Sequence, residues 1–332
     1  DGSFIIGAPG FAKWTGTVVR VTVEETALPS YGPSHEVNIV IPKTTGRKDI
    51  HYYSYFGYSL TSGNFLRPNT ISYASGAPRG ADMKGMVVLF DFPRNSEEPL
   101  LVHSIKEGSV LGEYFGAEVT SVDLDGDGLD DLLVGAPFYG RTTEEENGKV
   151  YPFINRQNVS DDRVNRSNRH YPLQGMFDLI GQELMGKPRS RFGTALSNLG
   201  DINGDDLQDF AVGAPGGDQG GAVYIYHGRS APVYFELSQV ITPSLWRRGI
   251  SSLGHSISRA LDVDNNFYPD IAVGCPVSGH VVLLRTRPVI HITPQLVSHE
   301  ATLPPKPGYR FVISSCLQYQ SKHPLAPVHV KG

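Results

Sequence analysis

A tripeptide that returns at near-regular intervals limits what this chain can become. Gly-Ala-Pro, once with Cys in place of Ala, follows apolar residues at Gly7 (FIIGAPG), Gly76 (YASGAPR), Gly135 (LLVGAPF), Gly213 (FAVGAPG) and Gly274 (IAVGCPV). The spacing is about 60 to 80 residues, the upper range for blade-sized repeat units. About 20 residues before each of the later copies stands a second marker: YFGYSL at Phe56, YFGAEV at Phe115, RFGTAL at Phe192 and SLGHSI at Leu253. A third marker follows each copy: GMVVLFDF, GKVYPFIN, GAVYIYHG and GHVVLLRT. Those runs carry the continuous or alternating apolar pattern of strands packed on both faces. Each unit reads as strand, loop, strand, tight turn, strand and a more variable outer strand. Gly-Ala-Pro alone is a weak signal, but three markers in fixed order, recurring together, describe short antiparallel sheets repeated about an axis: a β-propeller.

Composition narrows the function. The 39% hydrophobic fraction supports a packed core, and 37 glycines with 24 prolines point to many tight turns. Charged residues make up 19% and the net charge is -5, which excludes the basic stripe of a nucleic-acid binder. Two cysteines, Cys275 and Cys316, exclude a disulfide-dense scaffold but not a large extracellular domain with its own core. No apolar run approaches the roughly 20 residues of a membrane span. The opening DGSFIIGAPG has neither the basic start nor the cleavage site of a signal peptide, and both ends are read as truncations. The repeat stops at RTRPVIHI near Ile290; a stiff LPPKPG segment follows, then RFVISSCLQYQ, which alternates like a strand of another domain. The expected division is a propeller over 1–290 and the start of a β-sandwich over 291–332.

Three units place an acidic loop between their first two strands: DLDGDGLDD, DINGDDLQD and DVDNNFYPD. Oxygen-bearing side chains at the first, third, fifth and ninth positions, with one main-chain carbonyl, resemble the first part of an EF-hand loop and suit calcium, which takes about six to eight oxygens. The candidate ligands are Asp123, Asp125, Asp127, the carbonyl of Leu129 and Asp131; Asp201, Asn203, Asp205, the carbonyl of Leu207 and Asp209; and Asp262, Asp264, Asn266, the carbonyl of Tyr268 and Asp270. A solvated acidic turn is the plain alternative, but bare clustered carboxylates repel one another. The sixth position favours a residue tolerant of positive φ. Gly128 suits it, Asp206 is tolerable and Phe267 is costly unless that loop bends differently, so the first site is expected to be the strongest and the third the weakest. The unit at Phe56 has GNFLRPNTISYASG there, with no acidic residue, and no calcium is expected.

Catalysis is not indicated. The eleven histidines are scattered, with no HExxH, Gly-x-Ser-x-Gly elbow or P-loop. His51 and His255 are read as surface or channel residues, and Cys275 as a small buried one. NVS at Asn158 and NRS at Asn165 are N-glycosylation acceptors.

Phe-Gly, an acidic loop and Gly-Ala-Pro in that order form the FG-GAP repeat. With GDINGDDLQDFAVGAP, LDVDNNFYPDIAVGCP, LLRTRPVI and IIGAPGFAKWTG, the chain resembles integrin alpha subunits over nearly its whole length. WTG, LLRTRPV and the acid-free unit resemble the alpha-four and alpha-nine subunits, or an invertebrate subunit, more than those that bind RGD peptides. The resemblance implies an all-β, seven-bladed β-propeller, here about four and a half blades running from blade three to blade seven, and then the start of an immunoglobulin-like thigh domain. It implies calcium on the bottom face, and a top face that meets an integrin beta subunit and an extracellular-matrix or cell-surface ligand. It also implies a cell-membrane receptor, exposed on the extracellular side and anchored through a region outside this stretch.

The matching top-face loops are FAKWTG, 45–54, 79–84 and FYGRTTEEENG. The residue after each Phe-Gly faces the upper channel in the family, here Tyr58, Ala117, Thr194 and His255; Tyr58 suits a cation–π grip on a basic residue of the beta subunit. Tyr52 and Tyr53 stand where RGD-binding subunits carry acids, with Asp49 close by, and imply a ligand rim that does not read RGD. Two other readings remain open at this point: the propeller of a secreted FG-GAP enzyme of phospholipase type, and a plain calcium-binding scaffold.

Overall fold

The computed structural model describes residues 3–28, 32–44, 49–140, 146–156, 177–180, 184–217, 219–246, 249–298 and 313–320. Five antiparallel sheets follow one another along the chain. The first holds β1 (Ser3–Ala8), β2 (Thr17–Leu28) and β3 (Gly32–Val40). The second holds β4 (Ser59–Arg67), β5 (Thr70–Ala77), β6 (Met86–Asp91) and β7 (Leu101–Glu107). The third holds β8 (Glu118–Val122), β9 (Asp131–Ala136), β10 (Lys149–Asn155), β11 (Phe177–Leu179) and the short β12 (Leu184–Met185). The fourth holds β13 (Ala195–Gly200), β14 (Asp209–Ala214), β15 (Ala222–Gly228) and β16 (Phe235–Ile241). The fifth holds β17 (Ser256–Ile257), β18 (Ile271–Cys275) and β19 (His280–Leu284). This is an all-β, five-blade propeller arrangement. A separate two-stranded sheet, β20 (His291–Ser298) and β21 (Ile313–Gln320), follows it. Asn158 and Asn165, part of the 45–54 and FYGRTTEEENG loops, and LPPKPG lie outside the described residues.

The markers are the joints between blades. β9 (DLLVGA) and β14 (DFAVGA) are buried at every position, as strands covered on both faces must be. Four apolar clusters fill the four spaces between neighbouring sheets, and each contains the apolar residue of one Phe-Gly marker: Phe56, Phe115, Phe192 or Leu253. Burying a side chain of this size contributes roughly 1.5–3 kcal/mol. Its backbone N–H donates to the preceding blade: Phe56 to Thr15 O (3.0 Å), Phe115 to Lys84 O (3.2 Å), Phe192 to Asn147 O (3.0 Å) and Leu253 to Gly220 O (3.0 Å). The glycine that follows then lies on the Gly-Ala-Pro glycine of that preceding blade. A Cβ on Gly76 would overlap the Gly116 carbonyl, and the same clash would arise at Gly7 with Gly57, Gly135 with Gly193 and Gly213 with Gly254. Glycine recurs at both places because two backbones touch there.

The two end sheets expose apolar side chains. Phe4 and Ile6 of β1 are 64% and 52% exposed, and Val281 of β19 is 75% exposed. Both cysteines are free: Cys275 is fully buried in β18, where burial pushes its thiol up, and Cys316 is exposed on β21. Among the described residues no helix is long and apolar enough to cross a membrane.

Candidate metal loops and an aromatic face

The acidic loops join the first and second strands of the third, fourth and fifth sheets. Their shape is set by carboxylates that cap the loop's own N–H groups. Asp123 accepts from Gly126 N (2.8 Å) and Gly128 N (3.0 Å), Asp201 from Gly204 N (2.6 Å) and Asp206 N (2.9 Å), and Asp262 from Asn266 N (3.1 Å) and Phe267 N (2.8 Å). The sixth position is left-handed in all three, with φ of 86° at Gly128, 70° at Asp206 and 70° at Phe267. The third loop therefore does not bend differently; it keeps the fold at the cost of a left-handed phenylalanine. The fourth position is left-handed too, at Gly126, Gly204 and Asn265. The sequence reading passed over it, although Gly, Gly and Asn are the residue types that tolerate such a backbone.

The ninth-position aspartates pin each loop to the third strand. Asp131, Asp209 and Asp270 are at most 1% exposed. One oxygen of each accepts from the loop's second residue, at Leu124 N (2.8 Å), Ile202 N (2.8 Å) and Val263 N (3.1 Å). The other accepts from Asn155 N (2.8 Å), Gly228 N (2.9 Å) and Thr286 N (2.8 Å). Burial pushes the Asp131 carboxyl up to about 8 and that of Asp209 up to about 7, and it also raises Asp123 and Asp125.

Among the described residues, two carboxylate triplets offer oxygens within 4.8 Å of one another: Asp123, Asp125 and Asp131, and Asp262, Asp264 and Asp270. Asp125 Oδ1 is buried with no hydrogen-bond partner, an orphaned acceptor beside the Asp123 and Asp127 carboxylates. The donor set of hard oxygens therefore fits a divalent cation. Asp127 stands outside the first triplet and accepts from Leu129 N at 2.8 Å. Asn266 accepts from Tyr268 N (2.8 Å) and donates to Thr286 O (2.8 Å). In the second loop Asn203 fills the third position and donates to Asp205 at 3.0 Å, while Leu207 N donates to Asp205 at 3.1 Å.

The eighth position is an unforeseen clasp to the preceding blade. Asp130 accepts from Asn64 N at 2.6 Å. Gln208 Oε1 accepts from Asp123 N (3.1 Å) and from Asn198 Nδ2 (2.8 Å). The loop at Asp123–Asp131 is thereby tied to the sheets on both sides. Pro269 has no polar side chain with which to repeat the contact.

A second cluster gathers aromatic and basic side chains from four blades. The Tyr58 and Tyr114 rings meet edge to face at 5.6 Å, and Tyr114 reaches Phe138 at 5.5 Å. Trp14 lies 5.4 Å from Tyr55, and Arg79 stacks on Tyr55 at 4.9 Å while donating to its hydroxyl at 2.8 Å. Arg191 covers Phe138 at 5.4 Å and Lys13 covers Tyr52 at 5.7 Å. Burial, reinforced by the Tyr58 hydroxyl, pushes the Tyr114 phenol up to about 12. Tyr52, Tyr53 and Tyr58 are about half exposed or more, and His255 is exposed. The ring partner of Tyr58 is Tyr114, and Tyr55 pairs with Trp14 and Arg79; Tyr55 and Tyr114 each precede a Phe-Gly marker. Tyr55, Tyr114, Arg191 and Ser252 share a left-handed backbone there, which no residue type in the sequence betrays.

The FG-GAP repeat model matches residues 115–151 and 192–226. The chain is 37% identical over 289 residues to integrin alpha-4 of Xenopus laevis, covering 87% of this chain and 25% of that protein. It is 36% identical over 306 residues to integrin alpha-3 of Cricetulus griseus, covering 90% of this chain and 26% of the relative. It is 39% identical over 259 residues to integrin alpha-7 of Homo sapiens, covering 78% of this chain and 20% of the relative. The chain thus spans about a quarter of the length of the curated relatives it matches.

Proposed function

This chain carries the FG-GAP propeller segment of the integrin alpha family, and on that premise we propose that it belongs to a non-enzymatic adhesion receptor whose blades are braced by calcium. The observation that carries the reading is the Asp123–Asp131 loop: a carboxylate triplet with an orphaned acceptor, clasped to both neighbouring blades. Asp123, Asp125 and Asp131 are the residues that would hold the ion there, with Asp127 and the Leu129 carbonyl completing the set. Bound calcium supplies the positive charge that keeps these half-buried and buried carboxylates ionised. The loops at Asp201 and Asp262 are proposed to do the same. The ring is proposed to have seven blades and residues 291–332 to begin an immunoglobulin-like domain, as the family resemblance implies; the exposed apolar side chains of β1 and β19 support further sheets beside them.

Partnership with a beta subunit is proposed for the aromatic face. Tyr58, edge to face with Tyr114, presents a half-exposed ring and is the first residue to test, with His255 at the matching place in the fifth sheet. In the full-length receptor, Tyr58→Ala is expected to lower beta-subunit co-precipitation about tenfold or more, as loss of an aromatic anchor does. Undiminished assembly would remove Tyr58 from the interface. The exposed Tyr52 and Tyr53 are proposed as a ligand rim for a matrix or cell-surface protein that does not depend on an RGD arginine, since no carboxylate stands at those two positions to pair with it. Cells carrying the heterodimer should adhere without competition from soluble RGD peptide; adhesion abolished by the peptide and lost in Asp49→Ala refutes this. The extracellular side of the plasma membrane is the location these proposals require, with Asn158 and Asn165 as glycan acceptors.

A further inference from the structure

The three acidic loops differ in the cation that already stands beside them. The ninth-position bonds to Asn155, Gly228 and Thr286 put Arg156, Arg229 and Arg287 at matching places in the three blades. Arg156 makes its close contacts elsewhere: Nη2 donates to the Tyr234 hydroxyl at 2.6 Å and Nε lies 3.7 Å from Asp178, so it acts on Asp125 of its loop only through its charge. In the fifth blade it is Arg285, one residue before Thr286, that nears the loop, at 3.9 Å from Asp264, beyond a normal hydrogen bond. Arg229 is different. Its Nη1 donates to Asp205 Oδ2 at 3.0 Å, and its Nε donates to Glu236 at 3.2 Å, so the guanidinium is clamped between two carboxylates. The same Asp205 oxygen accepts from Asn203 Nδ2 at 3.0 Å, so two predicted ligands of this loop are bonded to each other.

A calcium ion at this loop needs the Asp205 oxygen and repels the guanidinium that holds it. We propose that Arg229 is a built-in counter-cation of the Asp201–Asp209 loop. It holds Asp205 when calcium is absent and has to yield that oxygen when calcium binds. The loop is accordingly the weakest calcium site of the three and the one whose shape depends least on the ion. Backbone conformation alone would rank the Asp262 loop last, because of Phe267; the side-chain pairing places the Asp201 loop below it. The inference rests on the calcium reading above.

Calorimetric titration of the purified full-length chain with calcium tests it, using wild type, Arg229→Gln, and Arg229→Gln combined with Asp201→Asn. The pair is partly solvated, so its removal is expected to tighten one site about fivefold, the upper end for a surface ion pair. Adding Asp201→Asn should abolish that same site. In chelator, Arg229→Gln should melt below wild type, and in saturating calcium the two should melt together. Calcium binding in wild type with unchanged or weaker binding in Arg229→Gln overturns this inference and leaves the calcium reading standing. No calcium binding to any of the proteins overturns both.

Discussion

The second and third sheets lie side by side on the same three markers, yet they close their first hairpin in opposite ways. In the second, Arg67 pairs with Thr70, so Pro68 and Asn69 alone make the turn. In the third, residues 123–130 intervene between β8 and β9, and they carry the carboxylates. The acid-free hairpin is nevertheless not independent of the acidic loop. Asn64 N donates to Asp130, and the Phe65 carbonyl accepts from Asn155 Nδ2 at 2.7 Å. A blade without its own loop is thus held by its neighbour's. The blades differ a second time near the axis. Two residues after the Phe-Gly glycine stand Ser59, Glu118, Ala195 and Ser256, small in every described repeat but one. Glu118 lines a cavity of about 500 Å³ together with Thr61, Ser197 and Arg259. Burial pushes its carboxyl up to about 7.

The comparison breaks most severely at Asp131. Asp131→Ala removes a buried acceptor from Leu124 N and Asn155 N and leaves both donors unpaired, which costs about 2–6 kcal/mol at one to three per group. Urea unfolding of the full-length chain should register it even in chelator, because the loss is not of the ion alone. Glu118 gives the next effect. Its folded value lies above the ordinary 4.5, so the native chain binds the proton more tightly, and stability falls as pH rises from about 4.5 through about 7. Glu118→Gln should therefore match wild type at pH 4 and exceed it by on the order of 2 kcal/mol at pH 8. Equal stability at pH 8 would mean the carboxylate is solvated in the cavity.

Much of this architecture was legible in the residues, and the parts that were not share a cause. Phe-Gly and Gly-Ala-Pro announce the blades because glycine and a buried aromatic are demanded by contact between backbones and by packing between sheets. The acidic spacing announces the loops because carboxylates cap the loop's own N–H groups, which apolar residue types cannot do. The clasp at Asp130 and Gln208, the left-handed residue before each Phe-Gly, and the turn of Arg229 towards Asp205 rather than away from it depend on which neighbour a side chain meets. Those partners are distant along the chain, 66 residues for Asp130 and Asn64 and 24 for Arg229 and Asp205. Local pattern carries no record of them. Phe267 shows the converse: the residue type argues against the loop conformation, and the bonds that Phe267 N donates to Asp262 and Val263 N donates to Asp270 impose it regardless.

The smallest expected effect belongs to the acid-free hairpin. Asn69 sits at φ 58°, and Asn69→Gly should relieve the left-handed backbone while loosening the unfolded chain, leaving stability within about 1 kcal/mol of wild type. A larger change, comparable to that of Asp131→Ala, would show that this turn holds more than its own two strands.

The central claim is that cations hold neighbouring blades together at the acidic loops. Thermal unfolding of the full-length chain in calcium and in a calcium chelator tests it most directly, since a ligand that binds only the folded state stabilises it by mass action. The account predicts a melting point several degrees lower in chelator, restored by excess calcium, with the difference reduced in Asp125→Ala, which removes the orphaned acceptor of the first triplet. An identical melting point in chelator and in calcium would contradict it.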